Sequence, residues 1–123
     1  LYIKRVGVTN LIRLNNENVL VKEIKKIKIL SELDELSKLK DKNVEVYLYG
    51  SCSRGEYVEE SDVDLLVIGD INREDIINLI QLISKKIKRS ISFKIFSDLE
   101  WARISKKDPA FYERVEKDKV RLI

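Results

Sequence analysis

Residues 50–65 read GSCSRGEYVEESDVDL, and within them Asp62 and Asp64 stand two positions apart at the start of the apolar run LLVIG. A carboxylate set into a buried strand is costly unless a cation compensates it. Strand residues two apart share a face, so the pair projects together with Cα atoms roughly 7 Å apart. Two carboxylates so placed repel each other, and a divalent cation turns that repulsion into coordination. Metal pairs that act on phosphate groups sit about 3.5–4 Å apart, which one such pair of acids can straddle. All-oxygen donors, few protein carboxylates and a shell completed by water and phosphate make Mg2+ the natural ion.

Gly50 and Ser51 supply the complementary half. A glycine closing a strand lets the backbone turn sharply and lets an anion come close. The Ser51 hydroxyl and the amides that follow can hold phosphate oxygens, with Arg54 adding charge one turn on. Such a site takes a nucleoside triphosphate, ATP being the expected one, with its Mg2+. A lone GS is usually a turn and a lone DxD usually a loop or cap. Here G-S-x-x-R-G-E is followed by S-D-x-D-L-L-V, between two apolar runs, and that conjunction is specific.

The missing residue types narrow the chemistry further. The 123 residues contain no histidine and one cysteine, Cys52, which excludes imidazole general-base chemistry, an internal disulfide and an ordinary zinc site. Lysine plus arginine number 24 against 21 aspartates and glutamates, a mild excess that reads as a solvated surface, with a weak nucleic-acid footprint as the alternative. No stretch approaches the ~18 apolar residues of a membrane span, and LYIKRVG does not resemble a signal peptide. The expectation is a cytoplasmic protein without a membrane partner.

The elements that must position these residues follow from periodicity. YIKRV and TNLIRL around Gly7 predict a β-hairpin. A helix capped at Asn16 or Asn18 runs to about Lys40, with a break near Ser31 and Asp34. Strands are predicted at 44–50, 63–69 and 91–96, with a short helix from Ser53 to Tyr57 between the first two. A helix capped by Asn72 carries the stripe Ile76, Ile77, Leu79, Ile80, Ile83 and Ile87. Ser97 with Glu100 caps a short helix, Asp108-Pro109 opens another, and KVRLI closes as an edge strand. The fold class is α/β (α+β): a small mixed sheet packed with helices, plus an N-terminal hairpin and helix. Residues 1–29 read as an extension and 30–123 as the domain proper.

Gly50, Ser51, Arg54, Gly55, Glu56, Ser61, Asp62, Asp64 and Leu65 resemble the signature of the minimal nucleotidyltransferases of the DNA polymerase β-like superfamily. The resemblance implies the nucleotidyltransferase fold and transfer of a nucleoside monophosphate from an NTP to a hydroxyl, releasing pyrophosphate. It implies that Gly50 and Ser51 hold the triphosphate and that Asp62 and Asp64 are the catalytic, metal-binding acids. It also implies a small helical partner of the HEPN type. Active members carry a third carboxylate on the next strand; in ISFKIF the matching position is Ser92, and Lys94 would repel a metal if it shared that face.

Two readings therefore stand side by side: a Mg2+-dependent nucleotidyltransferase, and a non-catalytic nucleotide sensor or antitoxin-like binding module. A third is a DNA-associated regulator, since KRVGVTNLIRLNNENVLVKEIKKI resembles the wing and following helix of a winged-helix protein. The same hairpin edge would also serve a homodimer.

Overall fold

The computed structural model describes residues 18–40 and 42–123. The predicted hairpin, with its wing-like reading, lies outside the described residues.

Helix α1 (Val19–Glu32) is capped by Asn18, whose side chain accepts from the amides of Leu20 and Val21. It ends earlier than its apolar spacing suggests. The Ser31 hydroxyl donates to the Lys28 carbonyl, so it is not free to cap a new helix, and the chain tightens into a 3-10 segment at Asp34–Leu39. Strand β1 (Val44–Tyr49) leads through Gly50 into the four-residue helix α2 (Ser51–Arg54). That helix starts two residues earlier than expected, because Gly50 turns the chain at once, and it stops at Gly55 in the left-handed region.

Strand β2 (Val63–Gly69), helix α3 (Arg73–Ile87) and strand β3 (Ile91–Phe96) follow as predicted. Helices α4 (Asp98–Lys107) and α5 (Pro109–Asp118) are opened by the Ser97/Glu100 capping box and by Asp108 before Pro109. Strand β4 (Val120–Arg121) ends the sheet. The strand order is β3-β2-β1-β4, with β2–β3 parallel and the other pairs antiparallel.

The sheet buries both faces. Val46, Leu48, Val63, Leu65 and Val67 pack with Ile29, Leu33 and Leu36 and with Ile76, Ile80 and Ile83 of α3. On the other face Tyr49, Leu66 and Ile68 meet Phe111 and Val115 of α5, joined by Phe96, Trp101 and Ile104. Burying each of these large aliphatic side chains contributes roughly 1.5–3 kcal/mol, so β2, buried almost throughout, is the mechanical centre of the domain. Asp64 interrupts that buried run. Among the described residues no helix is long and apolar enough to cross a membrane.

Candidate nucleotide and metal site

The turn after β1 is built on Gly50, with φ 76° and ψ −159°. A Cβ placed there would lie 2.5 Å from Asp64 Oδ2, so the absence of a side chain is what lets the turn lie against the carboxylate. The Ser53 hydroxyl and amide both donate to the Gly50 carbonyl, at 2.6 and 3.1 Å, and lock the turn. At the far end of α2, Gly55 has φ 69°, and a Cβ there would overlap the Lys22 carbonyl of α1. Helix α1 is thus pressed directly onto the end of the phosphate-type turn.

Asp62 is the last residue before β2 and is exposed; Asp64 is the second residue of the strand and half-buried. Asp64 pairs with Tyr49 on one side and Ser92 on the other. Burial holds its carboxyl above the ordinary carboxylate range and the charge of Asp62 pushes the same way, while Arg114, Arg54 and Lys94 pull it back. The two acids and the glycine turn, separated in sequence, are thereby brought together at one end of the sheet. A cavity of about 650 Å³ at the opposite end, between Asn43, Glu45, Asp98 and Arg121, includes none of them.

The loop that delivers Asp62 is held from behind. Arg89 Nη1 donates to the carbonyls of Val58, Glu59 and Ser61, at 2.7, 3.1 and 2.8 Å. Lys25, buried on α1, donates its ammonium to the Tyr57 carbonyl, and the Tyr57 hydroxyl donates back to the Lys25 carbonyl at 2.8 Å. Lys25 Nζ and the Arg89 guanidinium both stack on the Tyr57 ring, at 4.8 and 4.9 Å from its centroid. Cys52 Sγ donates to the Asp62 carbonyl at 3.5 Å and ties α2 to the same loop.

The remaining expected residues are placed less simply. Ser51 is partly buried at the first position of α2. Arg54, at its last position, donates from Nε to Glu56 Oε2 at 3.1 Å and pairs through Nη1 with Asp118 of α5. Ser92 is exposed and in direct register with Asp64, and Lys94 shares its face. Among the described residues no group of three or more Asp, Glu, Cys or His is arranged to hold a metal ion.

Reading the sequence for motifs missed Arg89, Lys25, Tyr57 and Arg114. Arg89 belonged to a basic KKIKR run that looked like a helix C-terminus in solvent. Lys25 did leave a signal: it occupies the buried stripe Val21, Lys25, Ile29, where an unpaired lysine would not be tolerated.

Residues 25–122 match the nucleotidyltransferase domain model. The chain belongs to this nucleotidyltransferase family. A chain of Methanocaldococcus jannaschii, provisionally named a protein adenylyltransferase, is 42% identical over 43 residues, which is 35% of this chain and 43% of that relative. The nucleotidyltransferase domain described here therefore spans less than half of that relative's length. A toxin–antitoxin crystal structure with AMP-PNP superimposes with TM-score 0.52 at 18% identity, covering 75% of this chain and 72% of the other. The MntA–HpeT toxin–antitoxin, carrying two Asp→Glu substitutions two residues apart, gives 0.54 at 13% identity, over 76% and 72%. At these identities the likeness establishes the nucleotidyltransferase fold.

Proposed function

We propose that this domain binds Mg2+–ATP and transfers its AMP to a hydroxyl acceptor, releasing pyrophosphate. The observation that carries the proposal is the contact of the Gly50 turn with Asp64, next to Asp62, in a chain of nucleotidyltransferase family. The donor set suits a hard cation: two carboxylates, one raised in pKa by burial and by the other's charge, exactly the electrostatic strain that a divalent ion relieves. Asp62 and Asp64 would hold that ion, and when bound it would neutralise phosphate charge and orient the triphosphate. Ser51 and the backbone after Gly50 receive phosphate oxygens, and the Gly50 turn fixes their distance from Asp64. Arg54, tied to Glu56 and Asp118, contributes field more than a direct bond.

In the transfer step the acceptor oxygen bonds to the α-phosphorus as the bond to the bridging α–β oxygen breaks, and pyrophosphate departs. With both acids committed to the cation and Ser92 in the third position, the acceptor's proton passes to water. Slow transfer relative to binding follows. Incubation with α-labelled ATP and cell extract tests this: label should appear on an acceptor with the wild type and vanish with Asp64→Asn. Unchanged Mg2+–ATP affinity in Asp62→Asn would sink the site assignment.

The register of Ser92 against Asp64 favours a second reading, a non-catalytic nucleotide-binding or antitoxin-like module that engages a small helical HEPN-type partner. The toxin–antitoxin neighbours support that context. Absence of label transfer at full Mg2+–ATP affinity, with transfer gained in Ser92→Asp, would decide for it.

A further inference from the structure

The face of the sheet that carries Asp64 also carries positive charge without an acidic counterpart. Asp64, paired with Tyr49 and Ser92, forms a row across three strands. Lys94 lies two positions along β3 from Ser92, on the same face. Helix α5 crosses over this row, with Phe111 packed against Tyr49 at 5.9 Å between ring centroids. Lys94 Nζ sits 4.2 Å from the Phe111 centroid and Arg114 Cζ sits 5.6 Å from the same centroid. One aromatic ring from α5 is thus flanked by a cation from the sheet and a cation from the helix.

Both side chains are exposed, and among the described residues neither forms an ion pair. Neighbouring cations are otherwise committed: Arg54 to Glu56 and Asp118, Arg89 to three loop carbonyls, Lys119 to Glu116. Lys94 and Arg114 nevertheless reach Asp64 electrostatically. Phe111 holds them by stacking, a neutral contact that restrains position without cancelling charge.

We propose that Lys94, Arg114 and Ser92 form an anion subsite for a di- or triphosphate group, in the corner of the site where no third carboxylate stands. The inference rests on the reading of Asp62 and Asp64 as cation ligands. One divalent ion on two carboxylates leaves that end of the sheet electrically neutral, which attracts a polyanion weakly. Lys94 and Arg114 restore a net positive field there, and the guanidinium adds a planar donor fork suited to phosphate oxygens. Ser92, short and exposed, leaves room and offers a hydroxyl donor. Substrate charge is met by fixed protein cations where a further metal ion would otherwise be required.

Calorimetric titration of the whole chain with inorganic tripolyphosphate in EDTA tests the subsite without metal. The wild type should bind, more weakly as salt rises, and each of Lys94→Gln and Arg114→Gln should lower affinity roughly tenfold. Lys94→Arg should retain binding, which separates charge from damage to the fold. ATP in EDTA should show the same dependence on both cations, since the triphosphate tail is the common group. Asp62→Asn should bind tripolyphosphate at least as well as the wild type while losing Mg2+–ATP. The inference is overturned by a wild type that does not bind tripolyphosphate in EDTA, or by a Lys94→Gln/Arg114→Gln double variant that binds it equally. If instead Asp62→Asn keeps Mg2+–ATP affinity while the double variant loses tripolyphosphate, the cation reading fails and the anion subsite stands.

Discussion

Gly50 and Asp64, fourteen positions apart in the chain, touch so closely that a single methyl group on the glycine would lie 2.5 Å from the aspartate Oδ2. The atom in the way is the tip of a side chain, which can swing aside. At Gly55 the atom in the way is the backbone carbonyl of Lys22, held inside α1, which cannot.

The two glycines should therefore fail differently. Gly55→Ala combines a left-handed backbone with a clash against a helix and should destabilise the fold by about 2–4 kcal/mol. Gly50→Ala should cost stability less, about 1–2 kcal/mol, yet weaken Mg2+–ATP binding strongly by displacing Asp64. Thermal unfolding beside calorimetric titration of both variants measures the split; equal loss of affinity per unit of lost stability would contradict it.

Arg89 should control the loop before Asp62. Its guanidinium serves three carbonyls, and Arg89→Ala leaves them to water at a cost of about 1–3 kcal/mol. Hydrogen exchange should quicken at residues 58–62 while β2 stays protected. Mg2+–nucleotide affinity should drop although Arg89 touches no phosphate. Unaltered exchange in that loop would remove the positioning role.

The pattern of what the sequence disclosed follows from range. Gly50, Ser51, Asp62 and Asp64 are legible because each does its work next to an apolar strand whose period is plain, and the strands fell where periodicity put them. The clamp of Lys25, Tyr57 and Arg89 joins three segments more than thirty residues apart. No local spacing encodes such a contact, and each residue alone looks like ordinary surface or core. The early end of α1 was hidden for another reason: its leucine spacing continues into a 3-10 segment that buries Leu36 and Leu39 just as a helix would.

Asp64 gives a pH-dependent trade between stability and binding. Its folded-state pKa lies above the ordinary value of 3.8, so the native form holds its proton more tightly than the unfolded chain. Stability is then greatest below that ordinary value and falls as pH rises through the raised native one. Asp64→Asn should raise the melting temperature at neutral pH, abolish Mg2+–ATP binding, and show no stability advantage near pH 3. A lower melting temperature at pH 7 would argue against this account.

Cys52 should be chemically silent despite its place in the turn. It is buried, and burial pushes its thiol up to about 11. Roughly one thiol in ten thousand is then ionised at pH 7. An aromatic disulfide reagent should leave the native protein unlabelled and react fully once it is denatured. The same shift removes stability as pH climbs from 9.0 toward about 11. Rapid labelling at pH 7 would show that the thiol is neither buried nor inert.

Strand β3 lies at the margin of the sheet, paired only with β2 among the described strands. The acid-bearing strand β2 is boxed in by neighbours and by both layers of helices, so Asp64 is anchored to the part of the domain least able to rearrange. Ser92 and Lys94 hang on a border that carries almost no structural burden. One side of the site is thus a fixed instrument and the other an exchangeable fitting: replacing Ser92 or Lys94 should retune the chemistry at this end of the sheet while leaving the architecture intact.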